Sequence, residues 1–178
     1  IMFNNDVSPS FLKLSKPTDK LIVINSASKS FNMTGWRIGW ITHPEELGPH
    51  IAKLVQITTT GVPEFLQNGL ISALQNYKLL TKEVRQNLKK SRDIMFQRLV
   101  EWKRVECSVP EAAFYAFFKV KDIKDSLEFA KKLIIDTNVG VAPGIAFGES
   151  GEGHLRICFA AQQSFINEIM DRLEPALN

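Results

Sequence analysis

The chain has 178 residues, 44% of them hydrophobic and 23% charged, with 22 Lys and Arg against 19 Asp and Glu for a net charge of +3. That length and composition fit a globular chain able to bury a core. So small a charge, spread so evenly, leaves no electrostatic footprint for nucleic acid or an anionic membrane. Cys107 and Cys158 have no CxxC spacing and no nearby His/Cys cluster, which argues against a disulfide framework and against a metal site. Both lie in apolar segments and are expected to be small buried hydrophobes, with a reducing, cytoplasmic compartment as the default. No run of about 18 apolar residues suggests a membrane span, and the start has no secretory pattern.

Residues 1–20, with Pro9 and Pro17, read as a connector. Leu21–Asn25 is a short aliphatic run and is expected to be a strand buried on both faces. A polar turn follows over 26–35, and Trp36–Thr42 reads as a second strand. His43-Pro44-Glu45-Glu46 opens a helix, with Pro early and acids in the first turn. Thr58-Thr59-Thr60-Gly61 breaks the pattern, and Pro63-Glu64 restarts it, with apolar residues at 65, 66, 70, 73 and 74. Leu80, Val84, Leu88, Met95, Leu99 and Trp102 mark one long amphipathic helix. Its basic cluster Lys89, Lys90 and Arg92 is expected on a solvated face.

Beyond it, Val105–Val109 and Ala113–Val120 read as strands and Ser126–Asn138 as a helix with Leu127, Ala130, Leu133 and Ile134 on one face. Val139–Ala142 and His154–Ala160 read as strands flanking a Pro/Gly-rich loop at 143–153, and a last helix covers about 163–177. Strands interleaved with helices place both halves in the α/β class. In the strand after the loop, Leu155, Ile157 and Phe159 share one face, with His154, Arg156 and Cys158 on the other. Arg156, in mid-strand among apolar residues, needs an anion. That anion is either an internal carboxylate or a ligand carboxylate gripped by the guanidinium fork.

Chemistry concentrates at residues 26–40. Ser26, Ser28, Lys29 and Arg37 follow directly on the first strand. Two hydroxyls and a guanidinium can cradle a phosphate, beside an amine able to attack a carbonyl. Gly35 and Gly39 would let the chain bend and pack closely. Ser26 and Lys29 also match the S-x-x-K of serine acyl-enzymes, but the companion S-D-N and K-T-G motifs are absent.

The pattern S-x-S-K-x-x-x-x-x-G-x-R-x-G at Ser26–Gly39 resembles the lysine motif of class I/II aminotransferases, which use pyridoxal 5'-phosphate. The resemblance extends through Pro110-Glu111-Ala112-Ala113-Phe114-Tyr115, with Ala112 where the family has glycine. It continues through Gly140–Gly148 and Gly151–Ile157. The wording Asn32-Met33-Thr34-Gly35-Trp36-Arg37-Ile38-Gly39-Trp40 is similar to the aspartate, aromatic and kynurenine branch.

The resemblance implies the C-terminal part of the fold type I large domain over 1–90, followed by a small α/β domain over 91–178, with the boundary in the long helix. It implies Lys29 as the covalent tether and proton carrier, Ser26, Ser28 and Arg37 as phosphate ligands, and Arg156 as the ligand of the substrate α-carboxylate. Substrates would be an amino acid and a 2-oxoacid, and the protein a homodimer with residues 56–64 near the subunit interface. A lyase or synthase on the same fold, or a non-catalytic regulatory module, shares these residues. The opening Ile1-Met2-Phe3 suggests a piece of something longer, and family members carry further cofactor ligands upstream of the lysine. The isolated chain is therefore expected to be a poor catalyst.

Overall fold

The computed structural model describes residues 1–4 and 7–178. The chain forms two compact units. One extends to Arg85, and the other comprises Met2–Asn4 and Gln86–Asn178.

In the first unit, β1 (Val23–Ser26) pairs antiparallel with β2 (Gly39–Thr42), with Ser26 opposite Gly39 and Val23 opposite Thr42. Between them lie the single helical turn α1 (Ala27–Ser30) and a 3-10 turn at Thr34–Trp36. The first strand forms where the aliphatic run predicts, but its expected burial on both faces is not seen. Ile22 and Ile24 are exposed, because only one strand pairs with β1 among the described residues. Helices α2 (Gly48–Thr59) and α3 (Glu64–Gln75) follow. The α2 helix starts with Pro49 in its first turn, where the missing N–H costs nothing. It stops where the Thr58 and Thr59 hydroxyls bond back to the carbonyls of Leu54 and Val55, and Thr60 turns left-handed at φ 62°. No residue of α2 is buried. The small core here gathers Ala27, Met33, Ile38, Leu70 and Ala73, with Phe31, Leu66 and Leu80 against it. Of the apolar α3 positions, Leu70 and Ala73 carry the packing, whereas Phe65 is 71% exposed.

The long helix α4 (Tyr77–Leu99) leads into the second unit. There β3 (Val105–Glu106), β4 (Tyr115–Val120), β5 (Ala142–Pro143) and β6 (His154–Cys158) form an antiparallel sheet in the order β3-β4-β6-β5. Period-two alternation sets its faces. Ala116, Phe118 and Val120 of β4 are buried with Leu155 and Ile157 of β6 and with Phe159 beyond it. This apolar face is completed by Met95, Phe96 and Leu99 of α4 and by Ala130 and Leu133 of α5 (Ser126–Thr137). Ile166, Met170, Leu173 and Leu177 of α6 (Gln163–Leu177) join it, at spacings of four, three and four. Leu127 and Ile134 of α5 lie outside this contact and are about half exposed.

Two further expectations need correction. Arg92 is buried, unlike the exposed Lys89 and Lys90. Its Nε and Nη2 donate to Asp93 Oδ1 at 2.9 and 2.6 Å, its Nη1 donates to the Pro110 carbonyl at 3.0 Å, and its guanidinium lies 4.4 Å from the Phe3 ring centroid. Arg92 lies four residues after the buried Leu88 and three before the buried Met95, on the core-facing stripe of α4, and its three hydrogen bonds make that burial tolerable. Cys158 is exposed and Cys107 half-buried, because Cys158 falls on the open face of β6.

The segment Met2–Asn4 belongs to this second unit. Met2 bridges to Ala112, the Phe3 N–H donates to Glu111 O at 2.9 Å, and the Phe3 ring packs 6.4 Å from Phe159. Ala112 keeps an ordinary negative φ, and Ala113 takes the left-handed turn at φ 69°. Alanine at 112 therefore asks nothing unusual of the backbone. Among the described residues no helix is long and apolar enough to cross a membrane, and no three His, Cys, Asp or Glu side chains gather as a metal site.

Candidate active site

The lysine turn is built by the hairpin. Asn25 and Ser26 lie against Trp40 and Gly39, and the Ala27 N–H donates to Ile38 O at 3.1 Å. Ser26 then caps α1, its Oγ accepting the Ser28 N–H at 3.2 Å. Phe31 N–H closes the turn on Ala27 O. Lys29 thus sits on a single turn fixed at both ends, with its side chain exposed, while Ser28 beside it is only 5% exposed.

The return strand brings up Arg37. Its φ of 51° is left-handed, a conformation a non-glycine residue adopts at a cost of about 1–2 kcal/mol. That turn sends Ile38 into the core, at 5% exposure, and leaves Arg37 outside. Arg37 Nη1 donates to Thr34 O at 3.2 Å, which braces the arginine on its own 3-10 turn and leaves further guanidinium donors for a ligand. Gly39 is required here, since a Cβ would run into the Asn25 carbonyl oxygen. Gly35 stands in open space and serves no close contact. Gly69 of α3 is a close approach that the sequence does not announce: a Cβ there would strike the Trp36 ring. Ser26, Ser28, Lys29 and Arg37 are therefore gathered on one short hairpin.

Arg156 belongs to the second unit and is described there by itself. In β6 it lies opposite Phe117 of β4 and Ala142 of β5, half-buried. Among the described residues no carboxylate pairs with it and no acceptor takes its N–H groups. Its guanidinium carbon lies 4.3 Å from the Tyr115 ring centroid and 4.3 Å from that of Phe147. Phe147 closes a 3-10 turn at Gly144–Phe147 and meets Phe117 edge-on at 5.9 Å. Phe117 in turn stacks on His154 at 4.9 Å. Sequence reasoning missed this aromatic surround. The signal available is Tyr115 and Phe117 at alternate positions of a strand expected to pair.

The loop carrying Phe147 is pinned from beneath. Ser126 Oγ accepts the Ile145 N–H at 3.2 Å, and Gly144 and Gly151 approach so closely that a Cβ on either would meet the other's backbone. Glu152 Oε1 accepts N–H groups from Ser126 at 2.6 Å and Gly153 at 2.8 Å. The Gly153 and Ser126 N–H donors hold its carboxyl below the usual glutamate range.

The profile of the family "Aminotransferase class I and II" matches residues 2–173, and the chain belongs to that family. A probable N-acetyl-LL-diaminopimelate aminotransferase of Bacillus subtilis is 35% identical over 157 residues, which are 88% of this chain and 40% of that protein. An aspartate aminotransferase of Pyrococcus abyssi is 33% identical over 162 residues, 89% of this chain and 41% of that protein. The crystal structure of an aromatic aminotransferase from Pyrococcus horikoshii superposes with a TM-score of 0.88 at 29% identity, over 98% of this chain and 48% of that one. The chain thus spans less than half the length of the relatives it matches.

Proposed function

We propose that this chain is part of a pyridoxal 5'-phosphate-dependent aminotransferase that moves an amino group between an L-amino acid and a 2-oxoacid. The observation that carries the reading is the hairpin that holds Ser26, Ser28, Lys29 and Arg37 on adjoining turns. The donor set suits the cofactor: two hydroxyls and a cationic fork for a phosphate, and a primary amine for an aldehyde. Lys29 is the tether. Ser26, Ser28 and Arg37 hold the phosphate, with Gly39 allowing β1 and β2 their close approach. When bound, the cofactor's ring withdraws electrons from the substrate α-carbon.

The chain's own residues supply position and protons. Lys29 Nζ takes and returns the α-proton as general base and acid. Arg156 holds the α-carboxylate through its N–H edge. Relatives named for aspartate and aromatic amino acids favour substrates of those kinds, and 2-oxoglutarate is the proposed acceptor. A homodimer is the proposed assembly. Leu54, Ile57, Val62 and Phe65, on and after α2, are exposed apolar side chains that such an assembly would cover. The unpaired Cys107 and Cys158 accord with a reducing, cytoplasmic setting.

The test is to mix the chain with pyridoxal 5'-phosphate, reduce with borohydride and map the pyridoxyl label. Label concentrated on Lys29, lost in Lys29→Ala and weakened in Arg37→Ala, is the expected result. Label scattered over surface lysines would remove the assignment of Lys29.

A further inference from the structure

Arg156 is a half-buried cation whose hydrogen-bonding groups meet no acceptor among the described residues, yet whose guanidinium is closely held by two rings at 4.3 Å. A buried or half-buried arginine ordinarily spends its donors on a carboxylate or on carbonyls. Arg92, elsewhere in the same unit, does so with three hydrogen bonds. Arg156 departs from that habit. A ring face attracts the cation without taking an in-plane N–H, so π contact can fix the position of a guanidinium and leave its fork unused. The two rings come from separate elements, Tyr115 from β4 and Phe147 from the turn before Gly148, and each is supported independently. Tyr115 is fixed by pairing with Cys158 on β6. Phe147 is braced by Phe117, with its turn tied to α5 through the bond between Ser126 Oγ and the Ile145 N–H.

We propose that Tyr115 and Phe147 are positioning residues that hold the Arg156 guanidinium through π contacts and keep its N–H edge available to a ligand carboxylate. The proposal rests on the reading of Arg156 as a carboxylate ligand and adds what prepares it. Holding the fork in place before the ligand arrives removes the entropy that a free arginine would lose on binding. Lysine cannot replace it, since an ammonium has neither the planar fork nor the stacking face.

The experiment is proton–nitrogen NMR of the full chain, following the Arg156 Nε–H signal, identified by its disappearance in Arg156→Lys. The probes are acetate and, as neutral control, acetamide. Three results are expected. The signal lies away from the usual arginine position through ring currents, and acetate moves it while acetamide does not. Tyr115→Leu and Phe147→Leu each return the signal toward the usual position and weaken acetate binding by about fivefold. Tyr115→Phe and Phe147→Tyr, which keep a ring, restore both. Unchanged amide signals from α5 and α6 in the leucine variants certify the fold. Acetate affinity unchanged in both leucine variants would overturn the positioning role and leave Arg156 as a carboxylate ligand. A wild-type signal indifferent to acetate would overturn the Arg156 reading itself, and the positioning role with it.

Discussion

Glu152 and Ser126 are joined across the second unit by a 2.6 Å hydrogen bond in which the Ser126 backbone N–H, in the first turn of α5, donates to the Glu152 carboxylate. Asp125 Oδ1 accepts the Glu128 N–H at 2.9 Å, so two acids together satisfy orphan donors of that helix start. Both carboxylates also face the positive end of the helix. Because the Gly153 and Ser126 N–H groups favour the ionised form, the folded-state pKa of Glu152 is depressed. The stability it contributes is therefore present above the unfolded glutamate value and lost as pH falls through the folded one. Glu152→Ala is expected to melt at a lower temperature than the parent at pH 7. The gap should close as pH drops below about 4. A gap that stays constant into acid would show that the carboxylate charge is not what matters.

Gly144 and Gly151 provide a test of close backbone packing. A Cβ at either meets the other's carbonyl, whereas a Cβ at Gly140 meets nothing within 4 Å. Gly144→Ala and Gly151→Ala should each cost about 1–3 kcal/mol in denaturant unfolding. Gly140→Ala should be neutral or gain a few tenths, about the scale of lost unfolded-state freedom. Equal effects at the three sites would contradict the packing.

Phe3 ties the first residues to the second unit through Phe159, the Glu111 carbonyl and the Arg92 guanidinium. At 6% exposure it is core despite its place near the end of the chain. Phe3→Ala should lower the stability of the second unit by about 3 kcal/mol, the low end for a buried phenylalanine. Hydrogen exchange at the amides of β6 and α4 should quicken accordingly. Unaltered exchange there would mean that the segment is not part of that core.

The two thiols should separate in a labelling experiment. Cys158 is exposed on the open face of β6, and burial pushes the Cys107 thiol up, which reduces its thiolate fraction. An aromatic disulfide reagent at pH 8 should modify Cys158 first, and Cys107 should follow slowly until denaturant is added. Equal rates in the folded chain would contradict the burial of Cys107.

Much of this architecture is legible in the amino-acid sequence. The spacing of apolar residues predicts a last helix over about 163–177, and the helix runs from Gln163 to Leu177. The inward set Leu155, Ile157 and Phe159 is readable from alternation. Both depend on local periodicity, which a sequence carries openly. The gathering of Ser26, Ser28, Lys29 and Arg37 is also readable, because fourteen residues of chain contain the whole hairpin turn. What fails is local reasoning about charge and burial at single positions. Residue type assigns Arg92 to solvent, yet its burial depends on Phe3 and on the Pro110 carbonyl, far away in sequence. An aliphatic run assigns Ile22 and Ile24 to the interior, yet their exposure depends on how many strands pair with β1.

The sequence by itself determined the inward faces of β6 and α6, and which short segment concentrates two serines, a lysine and an arginine. These follow from backbone periods of 3.6 and 2 and from turn chemistry. The tertiary structure alone decided what Arg156 meets. Strand alternation placed it opposite the core face but could not name its neighbours, because Tyr115 and Phe147 reach it by cross-strand register and by a loop folded back over β6. Register and loop closure are set by the balance of contacts over the whole second unit, and no window of sequence contains that balance.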